Sequence, residues 1–237
     1  MSLFKLPFIV AATLGLHAAS TAPNPPPLAA ERRMKPTKLE FMLTSSLFRN
    51  AQKGVYWFAA IAEAAIIAGH LGPYPAIPPP RICSMLLLGA NPDTVRVTPL
   101  LALGSALIAS GAMLRLLCYR ALGRHFTFEM GIARDHKLVT DGPYSVVRHP
   151  SYTGAVMAYV GLLCYYGSPG SWFMECVFKG TTWGKIFGIT YAVLMSLVVT
   201  GLLSRISRED DGLKNEFGRE WADWFAVVPY TLIPGIY

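Results

Sequence analysis

Charge is what this chain has least of. Of its 237 residues, 15% are Asp, Glu, Lys or Arg, against roughly 25% in soluble globular domains. Apolar residues make up 53%, and the mean hydropathy is +0.39. A surface wetted on all sides needs more charge than this, so the composition points to an integral membrane protein. Cysteine is also scarce. Cys83, Cys118, Cys164 and Cys176 are the four present; they show no CxxC spacing and most lie in or beside apolar runs. That excludes a disulfide framework and a cysteine zinc site, and reads as free, buried thiols. Basic residues outnumber acidic ones by 21 to 14, for a net charge of +7. Nucleic acid would be one partner for such a balance, but no nucleic-acid motif is present. Lys and Arg of membrane proteins gather in cytoplasmic loops, which accounts for the excess. There is no internal repeat, and nothing forms a nucleophile, base and orienter set.

Long apolar runs are plentiful. A crossing needs about 20 apolar residues, and five segments meet that need: Leu3–Ser20, Val55–Leu71, Val97–Tyr119, Pro150–Tyr166 and Trp183–Ser204. Ile82–Ala90 is too short to cross and reads as a re-entrant or loop helix. The first segment also suits a cleaved signal, because Ala18, Ala19 and Ser20 follow its apolar core; both readings stay open. With five crossings, three basic clusters fall on one side: Arg32 to Lys53, Arg120 to Arg148, and Arg205 to Arg219. That side is expected to be cytoplasmic. Two ionisable groups sit inside spans and are functional candidates on that ground. Arg115 lies close enough to a span end to snorkel to the interface. Glu63, near mid-span, calls for a partner inside the bundle.

Two polar segments carry the chemistry. In Gly142-Pro-Tyr-Ser-Val-Val-Arg-His-Pro-Ser-Tyr-Thr-Gly154, Arg148 and His149 stand at the mouth of an apolar helix whose first residue is Pro150. Proline fits there, where its missing N–H is not needed. The free amides of Ser151, Tyr152 and Thr153, with Arg148 and His149, would make an anion site at the membrane surface. In the second segment, after Ser204, Arg205 and Glu209 are four residues apart and share a helix face. Alone, that pair reads as an interfacial salt bridge. Further on, Phe217, Trp221, Trp224, Phe225 and Val228 recur at helical spacing. They mark an amphipathic helix that either lies in the interface or packs on the bundle.

Taken together, these segments resemble the isoprenylcysteine carboxyl methyltransferase family, within a wider group of membrane methyltransferases that includes phospholipid methyltransferases. The resemblance rests on His136-x-Leu-Val-Thr-x-Gly-x-Tyr144, on Arg148-His-Pro-Ser-Tyr-x-Gly154, on Glu209-Asp-Asp, and on Leu213, Phe217-Gly218 and Val228-Pro229…Ile233-Pro234. It implies an all-α, polytopic membrane protein of about five transmembrane helices, with a cytoplasmic-side cofactor pocket and a C-terminal amphipathic helix. Residues 1–119 would hold three spans, and residues 120–237 the methyltransferase core. The implied cofactor is S-adenosylmethionine. Its contacts would be His136, Lys137, Leu138, Val139, Tyr144, His149, Pro150, Ser151, Tyr152 and Glu209. Glu129 would join these contacts, at a position where the family often has Gln. Arg205 matches the residue expected to engage the substrate carboxylate, which makes it the implied catalytic group. No metal is implied. The implied substrates are prenylated CaaX proteins at the endoplasmic reticulum membrane, with lipid around the protein, no nucleic acid and an active site facing the cytosol. A phospholipid or other small-lipid methyltransferase, or a non-catalytic adaptor of the same fold, are the alternatives. A reductase of similar architecture is more remote, because no dinucleotide-phosphate fingerprint is found.

Overall fold

The computed structural model describes residues 3–26, 44–71, 80–129 and 137–236, and all regular structure among them is helical. A 3-10 turn leads into α1 (Leu6–Ala19). It is followed by α2 (Ser46–Leu71), the short α3 (Pro80–Leu87), α4 (Pro99–Leu122), α5 (Pro150–Gly167), a π-helical turn over Phe173–Phe178, α6 (Thr182–Ser204), α7 (Ile206–Phe217) and α8 (Arg219–Val227). Each of the five apolar segments is therefore helical, and Ile82–Ala90 overlaps only the two-turn α3. Two helices are long and apolar enough to cross a membrane, Pro99–His125 and Thr182–Phe217; Leu3–Ala19 is apolar but shorter. Helix α5 carries four tyrosines, and α2 carries Arg49, Lys53 and Glu63, which lowers their apolar character.

Local chemistry sets several boundaries. Helix α4 begins where the Thr98 hydroxyl caps the Leu101 amide at 3.2 Å, with Pro99 in the first turn. Helix α6 begins where Thr181 Oγ1 accepts from the Gly184 amide at 2.8 Å. The chain between α7 and α8 breaks at Gly218, whose φ of 53° favours glycine.

Helices α4 and α5 form the most intimate pair. A side chain on Gly111 would meet the Gly154 carbonyl at 2.5 Å, and one on Gly154 would meet the Gly111 carbonyl at 2.6 Å. Seven residues on, Gly104 and Gly161 repeat the relation, at 2.8 and 2.7 Å from each other's carbonyl. The two backbones touch, as small residues permit between helices in lipid. Helix α1 packs into the same core: Ala12 and Leu16 are buried with Tyr56, Leu101, Ile108, Leu162 and Tyr165. On the outside, Leu103, Met113 and Leu117 of α4, and Ile186, Ile189, Val193 and Leu197 of α6, are exposed. Bands of this kind suit hydrocarbon rather than water.

Glu63 has its partner within the bundle. It pairs with Lys5, accepts from the Trp172 amide at 3.2 Å and from the Tyr165 hydroxyl at 3.3 Å. Both charges are almost fully buried, and Lys5 also donates to the Gly170 carbonyl. Arg115 departs from expectation. It does not snorkel but is buried and turned inward. Its Nε donates to the Ala19 carbonyl and the Tyr119 hydroxyl, both at 3.0 Å; its Nη1 donates to Ser151 O and Oγ at 3.1 and 3.2 Å. The end of α1, the last turns of α4 and the start of α5 supply enough acceptors to hold the charge away from the interface. No disulfide forms among the described residues; Cys118 and Cys176 are buried, whereas Cys83 and Cys164 are only partly so.

Candidate active site

Helix α5 does begin at Pro150, but the groups around its start are engaged differently from the anion site anticipated there. Arg148 is buried and committed to the protein. Its Nη1 donates to the Val228 carbonyl at 3.2 Å and to that of Pro229 at 2.5 Å. Its Nη2 reaches Thr231 Oγ1 at 2.9 Å and Asp210 at 3.3 Å, and its guanidinium lies over the Phe225 ring. His149 is held by Asp210 through Nε2 at 2.9 Å. The amides of Arg148 and His149 donate to the carbonyls of Tyr230 and Thr231. The amides of Tyr152 and Thr153 turn back onto the His149 carbonyl. The Arg-His-Pro run is thus a clasp that fastens the C-terminal strand of chain and α7 to α5. Asp210 is its centre. Burial alone would raise the Asp210 carboxyl; the hydrogen bond and charge of His149 and the charge of Arg148 outweigh it and hold the group below its usual range.

One turn away, His149 stacks on Tyr152 with ring centroids 5.4 Å apart. The Tyr152 hydroxyl donates to Glu209. Arg205 lies with its guanidinium 5.7 Å from the Tyr152 ring centroid and its Nε 3.9 Å from Glu209. The structure therefore brings His149, Tyr152, Arg205 and Glu209 together, although more than fifty residues separate the two halves in sequence. Arg205 is buried and Glu209 partly exposed, so the carboxylate faces outward and the guanidinium inward.

Inward lies a cavity of about 150 Å³. Its polar end holds Arg205, Arg115, Arg49, Ser151 and Tyr152; its walls include Leu16, Tyr56, Leu162, Met195 and Val199. The cavity runs between α2 and α6, which Gln52 bridges by donating to Met195 Sδ at 2.8 Å. Ser151 and Tyr152 face this chamber. Tyr152 stands between it and Glu209.

The remaining expected contacts lie on the other side of Tyr152. Leu138 and Val139 pack against a buried cluster of Cys118, Tyr119, Phe126, Tyr144, Trp221 and Trp224. Tyr144 is buried, its carbonyl accepts from Trp224 Nε1 at 3.2 Å, and burial with nearby Cys118 pushes its hydroxyl pKa far up, so it stays protonated. Trp221 and Trp224 thus pack on the bundle, which decides between the two readings of the amphipathic helix, while Phe225 and Val227 stay exposed. Pro150 is fully buried and Lys137 exposed. Glu129 accepts through its carbonyl from Thr127 Oγ1 at 2.6 Å. His136 lies outside the described residues.

The described residues are helical with apolar bands and this paired site, which has the character of a membrane protein, and comparison with known proteins narrows the class. A phospholipid methyltransferase family model matches residues 99–186, which takes in α4 and α5 but stops short of Arg205 and Glu209. Protein-S-isoprenylcysteine O-methyltransferase B of Arabidopsis thaliana is 33% identical over 128 residues, 53% of this chain and 55% of that protein. The rat protein-S-isoprenylcysteine O-methyltransferase is 29% identical over 143 residues, 60% of this chain and 44% of its own length. A zebrafish 7-dehydrocholesterol reductase is 29% identical over 107 residues, 45% of this chain but 19% of that protein. The chain spans about half the length of the methyltransferase relatives it matches. No solved structure gives a significant match. These matches support a membrane methyltransferase. Within that class the chain is similar to isoprenylcysteine carboxyl methyltransferases, with phospholipid methyltransferase relatives.

Proposed function

We propose that the protein uses S-adenosylmethionine to methylate the C-terminal carboxylate of prenylated cysteine in CaaX-processed proteins, at the endoplasmic reticulum membrane with the site facing the cytosol. The observation that carries this reading is the placement of Arg205 and Glu209 on either side of Tyr152, one facing an apolar chamber and the other the outer side. One opening suits an anion with an apolar tail, the other a cationic cofactor.

The residues present fit such a cofactor. Glu209 is partly exposed and would pair with its amino group. Leu138, Val139 and Tyr144 would cover the adenosine. Arg148 spends both Nη groups on the clasp, so the exposed Lys137 is the better partner for the cofactor carboxylate, and His149, Pro150 and Ser151 shape the wall. When bound, the cofactor supplies a methyl group on a sulfonium sulfur. The acceptor carboxylate oxygen would take that methyl group, and the sulfur would keep the electron pair of the bond that breaks. An α-carboxyl with a pKa of about 3.5 is already ionised, so no general base is needed. Arg205 would orient the carboxylate for in-line attack. A cation and an anion become two neutral groups, and water would hold the charged reactants back. An apolar chamber with fixed dipoles lowers that barrier. The gap between α2 and α6 would admit the prenyl chain sideways from lipid, and the cofactor would enter from the cytosol.

A second reading, methylation of a phospholipid amine, draws on the family model that matches residues 99–186. An amine acceptor needs no arginine, so Arg205 speaks for a carboxylate. The test is incubation of the purified chain with labelled cofactor and either N-acetyl-S-farnesylcysteine or phosphatidylethanolamine. Label in the farnesyl ester is the expected result. Label in phosphatidylethanolamine alone would replace the first reading by the second, and no cofactor binding at millimolar concentration would sink both.

A further inference from the structure

Three arginines meet at one aromatic ring. Phe128 lies between Arg49 of α2 and Arg115 of α4, whose guanidinium carbons are 5.1 and 5.3 Å from its ring centroid. Its backbone carbonyl accepts from Arg205 Nη1 at 2.8 Å. All four residues line the polar end of the same chamber. The ring fixes two guanidinium groups by cation–π contact, and its carbonyl fixes the third. Arg115 is held further by Ala19, Tyr119 and Ser151, and Arg49 by the Thr44 carbonyl at 2.6 Å.

Three cations beside an apolar chamber need compensation. Two carboxylates provide part of it: Glu209 beside Arg205, and Glu129, whose charge acts on Arg49. A single anionic head entering the chamber would add to that compensation, and guanidinium groups present the flat donor geometry that a carboxylate takes. A zwitterionic head would bring an ammonium against the same arginines, a like-charge juxtaposition that disfavours entry.

We propose that Arg49 and Arg115 join Arg205 in a collar around Phe128, and that this collar determines specificity for acceptors with one carboxylate head on one apolar tail. It rests on the carboxyl-methylation reading for its acceptor. It adds two residues to the recognition of that acceptor, and a direction: the neutral methyl ester loses the attraction that drew the acid in. Arg49 and Arg115 therefore separate substrate from product as well as carboxylate from phospholipid.

The test is equilibrium binding of N-acetyl-S-farnesylcysteine and of its methyl ester to the full chain in detergent. The acid should bind the wild type about tenfold more tightly than the ester, the scale of one charge-assisted contact. In Arg49→Gln the ratio should fall to about threefold or less, and Arg49→Lys should restore most of it. Arg115 holds three helices together, so the milder Arg115→Lys is the second variant, with a smaller fall in the same ratio. Cofactor affinity should not change in Arg49→Gln. A wild-type ratio near one, or a ratio unchanged in both Arg49→Gln and Arg115→Lys, overturns the collar. Failure of the parent reading looks different: the acid-over-ester preference persists and depends on Arg49, yet no methyl group reaches the acid.

Discussion

Asp210 illustrates how much a single residue can carry here. It binds His149 and Arg148 at once, and those two hold the last described stretch of chain. Asp210→Ala leaves Arg148 buried without its anion, a change that typically costs about 3 kcal/mol or more. It should lower the thermal midpoint in detergent well beyond Asp211→Ala. The sign with pH follows from the lowered carboxyl. Its contribution to stability is present above the unfolded value of about 3.9 and is lost as pH falls through the lower folded value. The difference in midpoint between wild type and Asp210→Asn should therefore narrow below about pH 4. Arg205→Ala should reduce turnover by about 10²-fold or more, as loss of one preorganised charge does, with cofactor binding by calorimetry preserved. Glu209→Ala should instead weaken cofactor binding about tenfold, the worth of one charged hydrogen bond. Equal effects of both substitutions on cofactor affinity would contradict the division of labour across Tyr152. Arg148 and His149 stood out in sequence as a cation pair at a helix start. What they bind was not legible, because Asp210 lies about sixty residues on and burial leaves no mark in a string of letters. Lys5 was hidden for the same reason: its carboxylate is on another helix.

Among the elements, the α4–α5 pair is the most constrained. Gly104, Gly111, Gly154 and Gly161 each face the opposite backbone too closely for a methyl group. Gly111→Val should cost about 1–3 kcal/mol or more by overpacking, seen as a lower unfolding midpoint, whereas Gly54→Val on α2, with nothing within 4 Å, should cost far less. The elements themselves were readable. Apolar length located α1, α2, α4, α5 and α6, and Pro150 marked the start of α5. Their pairing was not read, although Gly104 and Gly111, and Gly154 and Gly161, share a seven-residue spacing. Small residues permit close approach without naming a partner. The aromatic spacing from Phe217 to Val228 gave the amphipathic character of α7 and α8. Only the positions of Trp221 and Trp224 against Tyr144 and Phe126 told which surface they cover.

At the scale of the whole molecule, sideways entry makes its own prediction. Paired cysteines in place of Gln52 and Met195 would tie α2 to α6 across the chamber. Under oxidising conditions turnover of a farnesylated acceptor should stop while cofactor binding continues, and reductant should restore it; unchanged turnover in the cross-linked protein would place the entrance elsewhere. The glycine seam gives this a mechanical side. A gate needs one post that does not yield, and α4 and α5, locked backbone to backbone, are that post. Slack must then be taken up by α2 and α6, which Gln52 and Met195 link by a contact of amide with thioether. Membrane thickness and lateral pressure act on outer helices first. The rate at which acceptor is admitted should accordingly track the surrounding lipid, while affinity for the water-soluble cofactor does not.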